Sequence, residues 1–373
     1  MRILLLGEYS NVHWTLGEGL RRLGHEVTVV SDGDIWKGYQ RDIDLRRKSL
    51  GRWDTLRYLW DVRRLWPRLK GYDVVQIINP VFLDLRAERI MPYYERLRRQ
   101  NGKMVLGAFG IDYYWVNEGM KPDTFRYSDF YLYGKLRHNR FNDEMISDWL
   151  EGAKGPLNQR IANDCDAIVS GLYEYDVCYR KNFPNKTTFI PFPIKIEQDE
   201  DATGREAGRI DATKQPIRFF IGIQKARHEY KGTDIMLSAL MKLKEKYPDR
   251  MEIVKAESVP FHQYKEMLNS SHVLLDQLYS YTPAMNGLLA MSKGMVLVGG
   301  AEEEQYELIN ETELRPIINV RPSESEVMEE IERRIILCPE NIGQLSADSI
   351  EYVKRHHDYV KVAKQYENLY KSL

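Results

Sequence analysis

Short apolar runs alternate along the chain with longer amphipathic stretches, a rhythm that predicts strands and helices in turn. Residues 2–6 (RILLL) are apolar and end at Gly7, as a central strand of a parallel sheet does. A helix is predicted over 12–23, with Leu16, Leu20 and Leu23 on one face; Gly24 stops it, and EVTVVS (26–31) is the next strand. The alternation continues through DVVQII (73–78), a charged helix over 83–100, KMVLGAF (103–109) and DAIVSG (166–171). A polar stretch at 195–215 lacks apolar periodicity and is read as a linker. The rhythm then restarts with PIRFFIGI (216–223), a helix over 232–248, MEIVKA (251–256) and HVLLDQ (272–277). PAMNGLLAMSKG (283–294) reads as a helix, MVLVGG (295–300) as a strand, and 349–373 as helical. Strands alternating with helices imply parallel sheets covered on both faces.

The expected organisation is therefore an α/β chain of two Rossmann-like domains facing a central cleft. Residues 1–195 form the first domain, 196–215 the linker, 216–345 the second domain, and 346–373 are helices placed to pack back on the first. A length of 373 residues suits two cores of ordinary size. With 54 basic and 55 acidic residues the net charge is −1, so no global nucleic-acid footprint is expected. Cys165, Cys178 and Cys338 show no CxxC spacing, which fits a reducing compartment and no zinc site. The amino-terminal apolar run is too short for a signal peptide, and no stretch reaches the roughly 18 apolar residues of a membrane span. A cytoplasmic protein is expected, with membrane-surface association as an option.

The second half carries a family resemblance. FFIGIQKARHEYKGTDIMLSAL (219–240) resembles the strand, basic loop, Lys-Gly and helix of retaining GT-B glycosyltransferases, of the family-4-like, bacterial polysaccharide type. By position, the resemblance gives donor-diphosphate binding to Arg227, Lys231 and Gly232, with Lys225 a rival. The chemistry agrees, because a departing nucleoside diphosphate gains negative charge that fixed cations and helix-start amides stabilise. DQLYSYTPAMNGLLAMSKGMVLVGGAEEEQYE (276–307) resembles the family's next segment, which puts Asn286 and Gly287 near the donor. That segment usually carries two glutamates eight residues apart, and here Tyr281 and Leu289 stand in their places. Glu302, Glu303 and Glu304 are the candidate replacements, Glu304 first among them; the same run also reads as acidic residues opening a helix. The opening GEYSNVHWTLGEGLRRLGHEVTVVSDG resembles the family's first strand, loop and helix, with Ser10 and Asn11 replacing its usual glycine pair. IPFPI (190–194) resembles the close of the first domain.

Two further residues are candidate catalytic groups. His13 follows the first strand, where a histidine orients an acceptor hydroxyl or serves only the fold. Asp112 follows Gly110 beside Tyr113, Tyr114 and Trp115; it suits accepting the acceptor's proton, or capping a turn. The resemblance implies a nucleotide-sugar donor, a glycan or lipid-linked acceptor, retention of configuration, no metal and no cofactor. The D-x-D run Asp42-Ile43-Asp44 lies far from the donor half, so it is not read as a metal site. Residues 41–70 hold ten basic and four acidic residues with Trp53, Trp60 and Trp66 among them. Apolar residues recur there at helical spacing, which fits a helix packed on its own domain with a solvated basic face. It also fits peripheral contact with an anionic membrane. Two other classes compete: a nucleotide-sugar-binding protein without transferase activity, motivated by the missing glutamates, and a dinucleotide-dependent oxidoreductase. The GxGxxG fingerprint of the latter is absent after the first strand, where Gly7 is followed by EYSNVH.

Overall fold

A computed structural model of the chain describes residues 1–196, 215–257 and 259–373; the linker reading at 196–215 falls almost wholly outside them. The first half runs β1 (Arg2–Leu6), α1 (Val12–Arg22), β2 (Glu26–Ser31), β3 (Ile43–Asp44), α2 (Arg52–Leu65), β4 (Val74–Ile77), α3 (Met91–Gln100), β5 (Lys103–Ala108) and α4 (Tyr113–Gly119). It continues through a small hairpin, β6 (Tyr131–Leu132) and β7 (Lys135–Leu136), then α5 (Arg140–Ile146), α6 (Lys154–Asp164), β8 (Ala167–Ser170), α7 (Tyr173–Arg180) and β9 (Thr187–Phe189). The second half runs β10 (Ile217–Ile223), α8 (His228–Lys231), α9 (Thr233–Lys246), β11 (Met251–Glu257), α10 (Phe261–Asn269), β12 (Val273–Leu275) and α11 (Met285–Ser292). It ends with β13 (Val296–Gly299), α12 (Glu303–Leu308), β14 (Ile318–Asn319), α13 (Glu324–Ile331), α14 (Asn341–His356) and α15 (Tyr359–Ser372).

The chain divides into two compact units. One holds Met1–Glu118, Glu144–Pro193 and Tyr359–Leu373; the other holds Gly119–Asp143 and Ile194–Asp358. So 25 residues from the first half of the sequence fold with the second unit, and only the final helix returns to the first. The expected 83–100 helix is shorter than its charge pattern implied. Pro92 lies in the first turn of α3, where its fixed φ and missing N–H are tolerated, and what precedes it is a turn at Ala87–Arg89.

The first unit is built on a seven-stranded sheet of order β3-β2-β1-β4-β5-β8-β9 in which every paired neighbour is parallel. Its central strands read as unbroken apolar runs because helices cover both faces, and Ile3, Leu4, Leu5 and Leu6 are all sealed from solvent. α15 packs on α1, and Gly19 permits it: a Cβ there would lie 2.4 Å from the Tyr359 carbonyl oxygen. The second unit has a five-stranded parallel sheet of order β11-β10-β12-β13-β14. Phe219, Ile221, Val273, Leu275, Val296 and Val298 form its core with Met236, Leu240 and Leu243 of α9 and Val327 and Ile331 of α13. Each such fully buried side chain contributes roughly 1.5–3 kcal/mol. In both units the strand order reverses beside the first strand, between β1 and β4 and between β10 and β12. Open α/β sheets bind ligands in the crevice at the carboxyl ends of the strands there.

Candidate functional site

The second unit concentrates charge at that reversal. After β10 the chain makes a tight turn at Lys225–Arg227, the single helical turn α8, and then α9. Gly232 joins the two helices at φ +72°, and a Cβ there would come within 2.7 Å of the Leu278 Cβ. Both the conformation and the space demand glycine. The close approach lays the Lys231–Gly232 backbone against the loop after β12, and the Leu278 N–H donates to the Lys231 carbonyl at 3.0 Å.

Arg227 is half-buried, with its guanidinium 4.8 Å from the Phe141 ring centroid and 5.2 Å from that of Tyr230. Its Nε is buried with no hydrogen-bond partner. The aromatic faces hold the cation without neutralising it. Asp129 is buried nearby and accepts the Tyr230 hydroxyl at 2.7 Å. Burial pushes its carboxyl up to about 6, against the pull of the Tyr230 hydrogen bond and of the charges on Arg137, Arg227 and Lys231. Arg137 donates to the carbonyls of Asp129 and Glu229, each at 2.6 Å, and lies 3.3 Å from the Tyr279 ring centroid. Three cations thus surround one carboxylate. Lys231 also faces Asp276 at the end of β12, whose carboxyl burial raises while Lys231, the Asn286 side chain and the Gly287 N–H oppose the rise. Arg227, Lys231, Gly232, Asn286 and Gly287 therefore share one region of the second unit. Lys225 does not join them, because it is exposed and pairs with Glu257 at 3.3 Å.

Beside this cluster lies a second one. Glu302 is buried and accepts the Tyr127 hydroxyl at 2.8 Å, Asn319 Nδ2 at 3.1 Å and Arg126 Nη2 at 2.8 Å. Arg126 also pairs with Glu304, while Glu303 turns outward to Arg315 at 3.3 Å. Tyr281, where the resemblance expects a glutamate, is buried against Tyr127 with ring centroids 4.8 Å apart, and its hydroxyl accepts the Arg126 N–H at 2.9 Å. Glu304 is thus held by an arginine of the same unit, and that arginine holds Glu302 as well.

The first unit treats its candidates differently. His13 is fully buried: Nδ1 donates to the Gly7 carbonyl at 2.8 Å, Nε2 meets Gln76 at 3.1 Å, and Gln76 accepts the Tyr370 hydroxyl at 2.8 Å. Burial pulls its pKa down to about 3, so the ring is neutral. Asp112 is equally buried and accepts the Trp115 N–H at 2.9 Å and the Tyr179 hydroxyl at 2.6 Å, capping the start of α4. Of the two readings open for each residue, this geometry favours the structural one: both side chains are buried, and their polar atoms meet protein partners. Ser10 and Asn11 adopt φ of 52° and 71°, a left-handed backbone at two consecutive residues that are not glycine.

The sequence reading missed Asp129, Arg137, Arg126 and Asp276. Asp276 opens the second family-like segment and stands at a strand end, a signal that could have found it. The three residues from 119–143 carried none, since nothing local marks that stretch as part of the second unit. Among the described residues no group of three or more His, Cys, Asp or Glu is arranged to hold a metal ion, and no helix is long and apolar enough to cross a membrane.

No family model matches the chain, and no curated protein matches it in sequence. Solved structures do match its fold. Sucrose-phosphate synthase from Thermosynechococcus elongatus is similar at 15% identity and a TM-score of 0.62, over 100% of this chain and 98% of that one. HepE from Anabaena, solved in complex with UDP and glucose, is similar at 11% identity and a TM-score of 0.59, over all of both chains. UDP-GlcNAc 2-epimerase from Neisseria meningitidis, bound to UDP-GlcNAc, is similar at 11% identity and a TM-score of 0.53, again over all of both. These likenesses show the fold, a GT-B arrangement of two Rossmann-like domains.

Proposed function

We propose that the chain is a retaining, family-4-like glycosyltransferase that moves a sugar, most simply a hexose, from a nucleotide donor to a glycan or lipid-linked acceptor without a metal. The observation that carries the reading is the cation cluster at the strand reversal of the second unit, where Arg227 keeps a buried, unpartnered Nε beside Lys231 and Gly232. Three cations over one carboxylate leave positive charge for a dianionic diphosphate, and their aromatic and backbone supports fix them before the ligand arrives. Breaking the bond between the sugar's anomeric carbon and the phosphate oxygen returns an electron pair to that oxygen. Arg227, Lys231 and Arg137 then stabilise the growing charge. The acceptor hydroxyl attacks from the same face, and its proton passes to the departing phosphate, so no separate base is required. That scheme is consistent with the burial of His13 and Asp112. Tyr264, which donates to Asn286 at 3.1 Å, orients the side chain expected to meet the donor's nucleotide or sugar.

The test is calorimetric titration with a panel of nucleoside diphosphates, followed by turnover with the matching nucleotide sugar. Lys231→Ala is expected to weaken diphosphate binding about 10–100-fold. It should lower kcat/KM for the donor on the order of 100-fold or more. Unchanged turnover in the variant would sink the phosphate role.

A second reading has its own support. Tyr281 and Leu289 replace the two glutamates, and Tyr281 is covered by Phe125, Arg126 and Tyr127. A protein that binds nucleotide sugars without transferring them would show tight diphosphate binding and no turnover across an acceptor panel. The nicotinamide alternative predicts a titration with dinucleotide cofactor that the diphosphate does not displace.

A further inference from the structure

The most unusual surface of the first unit is the outer face of α2. A helix on a soluble domain turns its apolar side inward, and α2 does so with Tyr58, Val62 and Leu65. It also carries a second apolar stripe on the opposite side. Trp53 is 84% exposed, Leu56 58% and Trp60 57%, at i, i+3 and i+7, and Leu50 just before the helix is 82% exposed. The apolar residues at 53–69 thus do not make one buried stripe; they split between two faces, and packing on the domain uses only the inner one. Arginines line the exposed stripe on both flanks. Arg52 and Arg63 lie along one side and Arg57 and Arg64 along the other, all exposed, with the Arg64 guanidinium 5.3 Å from the Trp60 ring centroid. Arg57 pairs loosely with Asp61 at 3.9 Å, whereas Arg52 and Arg63 form no ion pair among the described residues. Lys48, Arg68 and Lys70, just outside the helix in sequence, are exposed as well. The chain as a whole is nearly neutral, so this patch is a local concentration and not a reflection of composition.

We infer that α2 docks the protein on an anionic lipid surface, lying in the plane of the interface. Two exposed tryptophans with a leucine between them form an apolar wedge, and indole is suited to the headgroup level, where its ring is buried and its N–H stays wet. Arginines flanking the wedge meet lipid phosphates, and their apolar stems lie along the acyl boundary. A nucleic acid would use the arginines but leave Leu50, Leu56 and the breadth of the apolar stripe without a role. The inference does not depend on the proposed transfer reaction, because it concerns only this helix.

The test uses the full chain and vesicles of phosphatidylcholine with or without phosphatidylglycerol, read by co-sedimentation and by the blue shift of tryptophan emission. The wild type is expected to bind the anionic vesicles, with little binding to the neutral ones. Arg52→Ala/Arg63→Ala/Arg64→Ala should weaken partitioning on the order of 100-fold, and Trp53→Ala/Trp60→Ala should abolish the blue shift. Both variants should keep wild-type thermal stability and diphosphate binding, which separates failure here from failure of the donor site. Three results would overturn the inference: no binding of the wild type to anionic vesicles, undiminished binding by both variants, or a concentration-dependent dimer that dissolves in Trp53→Ala/Trp60→Ala. Tight binding of a single-stranded oligonucleotide that survives loss of both tryptophans would count equally against it.

Discussion

The two units begin alike and diverge within a few residues. Each opens with a central strand, a loop and a helix, at Gly7–Asn11 in one and at Gln224–Gly232 in the other. In the first unit the chain supplies its own acceptor to the helix start: the Glu8 carboxyl is buried and accepts the N–H groups of His13 at 3.2 Å and Trp14 at 2.9 Å. In the second the loop supplies cations, one with an unpartnered buried nitrogen, and a glycine that brings the backbone close to its neighbours. A helix start attracts an anion in either case. The difference is whether the sequence fills that place with a carboxyl of its own or, on the proposed reading, leaves it to a ligand. The same supersecondary unit thus forms a sealed structural corner in one half and a cationic loop in the other, which the proposed function reads as a receptor.

The contrast breaks first at Arg227. Arg227→Met keeps much of the side chain's bulk between Phe141 and Tyr230 while removing the charge. A receptor cation predicts a fall in donor kcat/KM of roughly 100- to 1,000-fold with a loss of thermal stability of only about 1–2 kcal/mol, from the contacts of the guanidinium with the Phe141 and Tyr230 rings. A variant that unfolds early while retaining turnover would make Arg227 structural and erase the difference between the loops. Next in size is Gly232→Ala. A left-handed φ and a Cβ pressed on Leu278 and Tyr279 together predict a destabilisation of about 3 kcal/mol in denaturant titrations. Wild-type stability in that variant would mean that the Lys-Gly joint is not held as tightly as its contacts imply.

The alternating apolar runs placed nearly every central strand within a residue or two, because buried parallel strands leave little freedom in composition. The loop at 225–232 was legible for a similar reason: its charge, its glycine and the following helix lie within eight residues. Arg126 and Glu302, by contrast, are 176 residues apart, and Arg137 meets Glu229 across 92. Such pairs depend on the 119–143 segment joining the second unit, which no local periodicity encodes. The two readings of His13 could not be separated, because a strand-end histidine looks the same in sequence whether it faces a substrate or, as here, a glutamine and a carbonyl. The helix at α2 was visible from its spacing, but its faces were not, since apolar residues occupy both.

The finest test of the comparison is the protonation of Glu8. Burial pushes its carboxyl up to about 8, outweighing the Trp14 and His13 N–H groups that favour the anion, and the charge of Asp34 adds to the rise. An acid whose pKa rises on folding binds its proton more tightly in the native state. Its contribution to stability is therefore complete below the unfolded value of 4.5 and is lost as the pH climbs through about 8. Within that window, a loss of roughly 1 kcal/mol per pH unit is expected from this group. Glu8→Gln cannot ionise, and its amide oxygen still accepts one of the two helix N–H groups. It should start less stable at pH 5, for want of the second acceptor, and then hold that stability more evenly up to pH 8. Denaturation midpoints measured at intervals between those limits decide the matter. If variant and wild type fall in parallel, Glu8 does not carry the titration, and the first unit's helix start is not closed in the way its hydrogen bonds suggest. If the slopes separate, the first corner is sealed by a neutral acid at physiological pH, in contrast to the cationic loop of the second.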